Sequence, residues 1–283
     1  MALGTVPTES TSLALGEFSL PRDRTLLMGV LNVTPDSFSD GGAFLSTDDA
    51  LAQAKRLADE GADILDVGGE STRPGAQPIT VAEELQRVLP VIEGIVGRLN
   101  IPVSIDTRRP EVAHACLKAG VAMVNDVTGL RDPQMAPVVA EAGAALTIMH
   151  MKGEPDTMAS EAHYVDLIGE VRAYLVERAA VARAAGIETV IIDPGIGFAK
   201  DLEQNLEVLH RLREFTNLGY PLLIGPSRKR FLGALTGREP MGRLEATLAA
   251  VAACVLNGAD IVRVHDVAEC RQAVIVADAI RNA

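Results

Sequence analysis

The sequence predicts an α/β fold of a single domain, a TIM (β/α)8 barrel, and three observations favour this fold. From about Leu26 onward, short runs of Val, Ile and Leu alternate with longer Ala-rich and Glu-rich amphipathic segments, as in βα units around a parallel sheet. Eight such units occupy about 260 residues, which fits a TIM barrel in number and length. No Pro-, Gly- or Ser-rich linker divides the chain. A doubly wound open sheet is the alternative.

Eight strands are predicted at the apolar runs that are rich in branched side chains. They are Leu26–Leu31, Ile64–Val67, Val103–Ile105, Ala122–Val124, Ala145–Met149, Val190–Ile192, Leu222–Ile224 and Ile261–Val264. Helices are predicted over residues 48–60, 80–98, 110–118, 133–142, 162–185, 201–213, 240–257 and 266–281. Five glycines stand just before strands, where a glycine after a helix end supplies the left-handed turn that reverses the chain: Gly61, Gly120, Gly143, Gly186 and Gly258.

Residues 1–20 are predicted to be a flexible N-terminal extension, and residues 21–283 to be the barrel. The extension lacks the basic start and the continuous apolar run of a signal peptide. The longest apolar stretch, residues 244–264, is interrupted by Asn257 and Asp260, which argues against a membrane span. We therefore expect a soluble, cytoplasmic protein with no membrane partner.

Three cysteines lie far apart in Ala-rich, helix-like stretches without the spacing of a metal site: Cys116, Cys254 and Cys270. Unpaired cysteine packs as a small hydrophobic side chain. We expect buried thiols in a reducing compartment.

The charge balance excludes one class of partner and calls for a local basic site. Lys and Arg total 26 against 38 Asp and Glu, giving a net charge of -12, so the protein as a whole repels nucleic acid and anionic membranes. Two cationic clusters nevertheless follow the seventh and eighth strands, at residues 227–230 and at Arg263 with His265. Many TIM barrels hold phosphate in this region. These clusters predict an anion or cofactor site.

Polar residues follow seven of the eight predicted strands: Asn32, Asp106, Asn125, His150, Asp193, Ser227 with Lys229, and Arg263 with His265. In a TIM barrel these positions converge on the C-terminal face, where catalytic groups lie. Asp66, Asp106 and Asp193 are the carboxylates that we expect to be buried near the mouth of the barrel, where a carboxylate could accept hydrogen bonds from the N–H groups of a heterocycle, or stabilise a developing cation. Asp66 could equally bind backbone, and we interpret it as structural.

Two loops at this face have distinctive compositions. The first, residues 32–42, is long for a βα connection, as mobile lids often are. The second, Gly68–Gly75, combines glycines and hydroxyls with Arg73, so it could form an anion nest or an ordinary solvated turn. Residues 195–197 lack the third glycine of a dinucleotide fingerprint, and no P-loop motif occurs in the sequence.

Eight short motifs occur in the order in which dihydropteroate synthases carry them, between Met28 and Val267. They are MGVLNVTPDSFSDGG, GGESTRPG, SIDT, VND, MHM, DPGIGFAK, GPSRKRFLG and RVHDV. The sequence therefore resembles this pterin-binding TIM-barrel family over nearly its whole length. The resemblance implies a transferase of folate biosynthesis, a sulfonamide target that condenses 6-hydroxymethyl-7,8-dihydropterin diphosphate with p-aminobenzoate to 7,8-dihydropteroate and diphosphate.

The resemblance also implies roles for individual residues. Asn32 would hold Mg²⁺ together with the substrate diphosphate. The pterin ring would be bound by Asp106, Asn125, Asp193 and Lys229, with Met149 and Gly225 among the substrate-binding residues. Arg263 and His265 would meet the pterin edge and the diphosphate, and the p-aminobenzoate pocket would be bordered by Thr72, Arg73, Phe198 and Ser227. The family further implies a homodimer built on helices of the outer ring.

The chemistry of this family gives four of these residues catalytic roles. If the bond between the pterin methylene and oxygen breaks before the amine attacks, positive charge grows on the pterin and negative charge on the diphosphate. Asp106 would stabilise the first, while Mg²⁺, Arg263 and His265 would stabilise the second, and Lys229 would contact the ring. One departure is Pro226, where the family mostly has Thr, Ala, Met or Val, so a backbone N–H donor is missing beside the p-aminobenzoate pocket.

Two other functions are compatible with a pterin-binding barrel. A methyltetrahydrofolate methyltransferase would keep acidic and Asn residues at the strand ends but would not need the cationic clusters of a diphosphate site. A non-catalytic paralogue that binds a pterin or a protein would be expected to have lost some motif residues, and those named above are all present.

Overall fold

Eight parallel strands of one sheet form the centre of the protein in a computed structural model, which describes residues 12–34, 46–71, 77–153, 157–158 and 160–283. The strands are β3 (Leu26–Asn32), β4 (Ile64–Gly68), β5 (Val103–Asp106), β6 (Met123–Asp126), β7 (Ala145–Met149), β8 (Val190–Asp193), β9 (Leu223–Ile224) and β10 (Ile261–Val264). Their order is β8-β7-β6-β5-β4-β3-β10-β9, and a parallel bridge between Ile192 and Leu222 joins the two ends. The sheet is thus closed, which confirms the predicted barrel and all eight predicted strands and excludes an open sheet.

Helices surround the barrel at positions close to those predicted. They are α1 (Thr47–Asp59), α2 (Val81–Val96), α3 (Pro110–Lys118), α4 (Met135–Glu141), α5 (Leu167–Ala184), α6 (Leu202–His210), α7 (Arg213–Thr216), α8 (Arg230–Thr236), α9 (Leu244–Leu256) and α10 (Val267–Arg281). Side-chain caps fix several starts, with reciprocal capping boxes at Thr80 and Asp201. The five glycines expected to reverse the chain all have left-handed φ angles, between 62° and 102°.

Two helical details differ from the prediction. Helix α8, which begins at Arg230, the last residue of the basic run, was not predicted; it has seven residues and is followed by Gly237 in the left-handed conformation. The predicted helix over residues 201–213 is divided into α6 and the short α7. None of the helices among the described residues is both long and apolar enough to cross a membrane.

The prediction that residues 1–20 form a flexible extension is wrong for residues 12–20. Strands β1 (Ser12–Leu15) and β2 (Phe18–Pro21) form an antiparallel hairpin. Leu13 and Leu15 are buried against residues at the starts of the barrel strands, such as Met28 and Met123. Buried Leu13 and Leu15 alternate with more exposed residues because one face of the hairpin covers the N-terminal end of the barrel. Residues 1–11 lie outside the described residues.

The barrel strands separate two sets of side chains by their period of two. Residues such as Leu65, Val67 and Ile105 pack outward against the helices in the larger core cluster. The inward set begins with apolar residues at the strand starts, including Ile64, Met123, Ile191 and Ile261. Two residues further along the same strands stand Asp66, Asn125, Asp193 and Arg263. The barrel interior therefore changes from apolar to polar toward the carboxyl ends of the strands.

The prediction that the three cysteines are buried thiols is also confirmed. Cys116, Cys254 and Cys270 are buried and unpaired, and burial raises the pKa of each thiol to about 12. All three are structural side chains of the helical layer.

Candidate active site

An ion-paired cluster centred on Arg263 occupies the polar end of the barrel. Its Nε donates to Asp66 Oδ2 at 2.5 Å and its Nη2 donates to Asp106 Oδ2 at 2.8 Å. Asn125 Nδ2 donates to the same Asp66 oxygen at 3.3 Å. The strand register places Asp106 beside both Gly68 and Asn125, so residues from β4, β5, β6 and β10 meet at one level of the barrel.

Burial sets the protonation of the carboxyl groups at this level. It raises the pKa of Asp106 to about 7, although attraction by Arg263 opposes the change. It also raises the pKa of Asp193 to about 6, against the effect of the Gly195 N–H, which donates to Asp193 Oδ1 at 2.7 Å. Burial disfavours the Arg263 charge, but Asp66 and Asp106 more than offset it, so the pKa of Arg263 is raised and the guanidinium stays charged. Acceptors of this kind suit the N–H groups of a heterocycle.

A second group joins the ends of β9 and β10. The backbone N–H of His265 donates to Ser227 Oγ at 3.2 Å, and the same hydroxyl lies 3.0 Å from His265 Nδ1. From the sequence, residues 227–230 were predicted to act as one cationic cluster. In the structure Arg228, which has a left-handed φ of 57°, is instead paired with Asp266 through Nε at 3.0 Å and through Nη2. Arg228 therefore holds the loop, and Lys229 is the cation of this run that acts on Asp106 and Asp193.

Lys229 lies near the carboxyl groups of Asp106 and Asp193 and also contacts the Phe198 ring. Its Nζ lies 4.1 Å from the centre of the Phe198 ring, a cation–π contact. Its positive charge lowers the pKa values of Asp106 and Asp193 against the larger effect of burial. The lysine stem passes Gly197 so closely that a Cβ there would stand 2.9 Å from Lys229 Cδ. Lys229 thus lies between Phe198 and the carboxylates of Asp66, Asp106 and Asp193, which we call the acidic floor.

Asn32 lies next to the acidic floor. A Cβ on Gly68 would be 3.6 Å from both Asn32 Oδ1 and Asp106 Cβ, so these two side chains approach each other over a residue with no side chain. Among the residues that the structure describes, no group of three His, Cys, Asp or Glu side chains could hold a metal. An amide oxygen is a ligand that Mg²⁺ accepts, and this ion commonly takes its remaining ligands from water and substrate phosphates. Asn32 fits a magnesium ion held mostly by substrate.

The other predicted substrate-binding residues are distributed around this centre. Met149 is buried in a small cluster with Met151 and Met158, against which Phe198 packs. Gly225 lies beside Arg263, since a Cβ there would be 3.7 Å from Arg263 Cβ. Thr72 and Arg73, and most of the first loop, lie outside the described residues. His150 is buried, and its Nδ1 contacts Lys200.

Sequence reasoning missed two features that support the site. Asp66 was interpreted as structural, but it is the carboxylate that holds both Arg263 and Asn125. Its position two residues after the inward-facing Ile64 is the signal that could have identified it. At the second loop, Arg109 donates to Glu70 Oε1 at 2.9 Å and to the Ile79 carbonyl at 2.6 Å, linking the residues that precede and follow Thr72 and Arg73.

Comparison with known proteins agrees with this geometry. The sequence model of the pterin binding enzymes matches residues 28–265. Dihydropteroate synthase from Synechocystis is 48% identical over 261 residues, covering 91% of this chain and 90% of the relative. The chain belongs to the dihydropteroate synthase family. The member of this family from Bacillus subtilis is 45% identical over 264 residues, covering 92% of this chain and 90% of the relative.

Solved structures of the family superimpose over nearly the whole chain. The Yersinia pestis enzyme in a sulfonamide drug complex has a TM-score of 0.92 at 38% identity, covering 96% of this chain and all of that one. The Xanthomonas albilineans enzyme with 4-aminobenzoic acid has a TM-score of 0.90 at 45% identity, covering 97% and 99%. The Thermus thermophilus enzyme in complex with 6HMPPP has a TM-score of 0.84 at 43% identity, covering 95% and 99%.

Proposed function

We propose that this chain is a folate-pathway transferase that condenses 6-hydroxymethyl-7,8-dihydropterin diphosphate with p-aminobenzoate, giving 7,8-dihydropteroate and diphosphate. The observation that carries this proposal is the acidic floor of Asp66, Asp106 and Asp193 with Arg263, at the barrel end where Lys229 and His265 also lie. The floor suits a heterocycle with several N–H groups, and the cations suit its diphosphate. Family membership over most of the chain supports the same reaction.

The acidic floor binds the pterin ring in this proposal. Asp106 and Asp193 accept N–H groups of the ring when they are ionised, and the amide of Asn125 can both donate and accept. Arg263 lies against Asp66 and Asp106, and not across the site from them, so it belongs to the ring-binding end. His265 then faces the diphosphate, with its backbone N–H held by Ser227.

The reaction breaks the carbon–oxygen bond of the pterin methylene and forms a carbon–nitrogen bond to the aryl amine. Positive charge that grows on the pterin is stabilised by the nearby Asp106 carboxylate, and negative charge on the departing diphosphate by His265. The attacking nitrogen uses its lone pair for the new bond and then loses one proton. Water must be excluded, because it would compete with the amine for the same carbon.

Magnesium is part of the proposal as a ligand of Asn32 and the diphosphate. When bound, it would neutralise charge on the leaving group. Removal of divalent ions with a chelator should abolish turnover, and Mg²⁺ should restore it. The Asn32→Ala variant should need more Mg²⁺ for half-maximal rate than the parent, whereas an unchanged requirement would argue against Asn32 as a ligand.

The p-aminobenzoate pocket is proposed between Phe198, Ser227 and Lys229, with Thr72 and Arg73 from the second loop. The support is the cation–π pair of Lys229 and Phe198 and the hydroxyl of Ser227 at the same end of the barrel. One family structure is a sulfonamide drug complex and another contains 4-aminobenzoic acid, which supports binding of these two kinds of compound.

A homodimer and a cytoplasmic location complete the proposal. An apolar groove on α9 and α10 would form the dimer contact, and Val276 and Ile280 there are each 60% exposed. The groove is lined by Leu248, Ala252, Leu256, Glu269, Gln272, Ala273, Val276, Ala277 and Ile280. Light scattering should give twice the chain mass, and Val276→Glu should reduce it to one chain. The unpaired cysteines support a reducing compartment.

The central test is turnover by the purified protein with the dihydropterin diphosphate, p-aminobenzoate and Mg²⁺. We expect 7,8-dihydropteroate and diphosphate in equal amounts. Tight pterin binding without product would favour a non-catalytic paralogue, and methyl transfer from methyltetrahydrofolate would favour the methyltransferase.

A further inference from the structure

The loop between β8 and α6, residues 194–201, has an unusual backbone. Gly195, Gly197 and Ala199 all have left-handed φ angles, of 74°, 81° and 46°. Ala199 has a side chain, so its conformation is disfavoured and must be maintained by contacts around it. At Gly195 the chain passes so close to the neighbouring strand end that a Cβ would stand 2.0 Å from the His150 carbonyl oxygen.

Lys200 is the side chain that holds this loop together. Its Nζ lies 3.1 Å from each of three acceptors: His150 Nδ1, the Gly195 carbonyl and the Phe198 carbonyl. An ammonium group has three donors, so its hydrogen-bonding capacity is filled. Lys200 is 9% exposed, and burial lowers its pKa to about 7 even though Asp193 opposes the change. A buried charge with three acceptors is costly to keep and strongly destabilising to leave unpaired.

His150, the side chain after strand β7 that contacts Lys200, is held in its neutral form. Burial lowers the pKa of His150 to about 2, so the imidazole is neutral and its Nδ1 can accept from the lysine. Two tyrosine rings pack around the imidazole, with the Tyr174 ring centre at 5.1 Å and the Tyr164 ring centre at 6.0 Å. Tyr164 also donates to the Ala199 carbonyl at 2.9 Å. The loop is therefore tied to the end of β7 through Lys200 and to the segment before α5 through Tyr164.

The loop presents groups to both parts of the active site. Its Gly195 N–H donates to Asp193, and its Phe198 ring contacts the Lys229 ammonium. Lys200 binds the carbonyl oxygen of Phe198 itself, so its contact acts on the backbone that carries this ring. The Asp193 carboxylate is additionally fixed by strand β8, whereas Phe198 lies in the middle of the loop. Loss of Lys200 should therefore displace Phe198 more than the pterin-binding residues.

We propose that Lys200 is a positioning residue for the aryl amine pocket, holding Phe198 where its ring packs beside Lys229 and borders p-aminobenzoate. Lys200 acts through the loop backbone and does not touch either substrate. This assignment depends on the proposed function, because it names the substrate whose pocket Phe198 borders.

The first test is the Lys200→Met variant, which keeps the length of the apolar stem and removes the three donors. A mispositioned aromatic contact should raise KM for p-aminobenzoate by about two- to tenfold. KM for the dihydropterin diphosphate, measured at pH 8 so that Asp193 stays ionised without the Lys200 charge, should change by less than about twofold, since Asp106, Asn125 and Arg263 remain in place. Equal increases in both KM values would overturn the proposal.

A matched control is available in Lys152, a lysine near the same tyrosine. Its Nζ donates to the His163 carbonyl at 2.6 Å and to Glu170 at 2.8 Å, and lies 3.7 Å from the Tyr164 ring centre. The Lys152→Met variant also removes a partly buried cation but leaves the Lys200 contacts intact. It should keep KM for p-aminobenzoate at the parent value, and an increase equal to that of Lys200→Met would overturn the proposal.

A double-mutant cycle separates positioning from general loss of structure. If Lys200 acts through Phe198, the KM effects of Lys200→Met and Phe198→Leu should be less than additive in the double variant. Fully additive effects would overturn the proposal. Should Lys200→Met not fold, Lys200→Gln, whose shorter side chain cannot reach all three acceptors, should still raise KM for p-aminobenzoate more than KM for the dihydropterin diphosphate, and equal increases would overturn the proposal. An inactive parent protein would instead contradict the proposed function.

Discussion

Asp193 provides a test of whether an ionised carboxylate in the site lowers the stability of the folded protein. Its carboxyl is 7% exposed and accepts the Gly195 N–H, and burial raises its pKa to about 6. A carboxyl whose pKa is raised in the folded protein favours folding most below its unfolded pKa, and this contribution is lost as pH rises through the folded pKa. The Asp193→Asn variant keeps an oxygen for the Gly195 N–H but cannot ionise. We therefore expect it to be more stable than the parent at high pH.

The size of this effect follows from the two pKa values. An unperturbed aspartate has a pKa of 3.8, against about 6 for Asp193 in the folded protein. Each unit of difference corresponds to about 1.4 kcal/mol, so ionised Asp193 destabilises the fold by about 3 kcal/mol at pH 8. At pH 5 the folded carboxyl is mostly protonated, and the calculated advantage of the variant falls to about half.

The assay is the free energy of unfolding from urea titrations of parent and variant at pH 5 and pH 8. The exposed Asp23 provides the control, as Asp23→Asn makes the same chemical change at the surface. We expect a stability gain for Asp193→Asn that grows with pH, together with weaker binding of the dihydropterin diphosphate. A gain that is the same at both pH values, or no larger than that of the control, would refute the reasoning.

Three further predictions concern other parts of the molecule. Leu15→Ala, in the N-terminal hairpin, should lower the free energy of unfolding by about 2–5 kcal/mol in urea titrations while kcat stays near the parent value, because Leu15 is fully buried at the end of the barrel opposite the site. Arg263→Met should lower it by about 3–5 kcal/mol at neutral pH, because Asp66 is left buried without its cation; a neutral effect would contradict the ion-pair account. Pro226→Thr restores a backbone N–H and should strengthen sulfonamide inhibition by about two- to tenfold with turnover retained, whereas equal inhibition would count against a contact at this position.

The barrel itself was predictable because its signals are local. Apolar runs of three to six residues defined the strands, and the glycines before them marked the helix ends. The hairpin of residues 12–21 was missed because it has two short strands, and its burial depends on strand starts that lie far away in the sequence. Helix α8 was missed because its seven residues follow a basic run that was interpreted only as a binding motif.

The candidate site was predictable as a set of positions but not as a set of contacts. Strand-end counting identified Asp106, Asn125, Asp193 and Arg263, since strand ends converge in a barrel. It could not show that Arg263 pairs with Asp66, because 197 residues separate the two in the sequence. Nor could it distinguish Lys229, beside Phe198, from Arg228, whose left-handed backbone directs it to Asp266.

The closure of the barrel has a consequence for how bound ligands affect its motions. Between residues 190 and 224, all of which the structure describes, the β8 side is joined to the β9 side by one parallel bridge, in which the Ile192 N–H donates to the Pro221 carbonyl at 2.9 Å. Asp193 and Gly225 follow on either side of this seam. A molecule spanning them would add cross-links where the main chain supplies few. Amide hydrogen exchange should therefore slow more at the seam than elsewhere in the barrel when substrate is present.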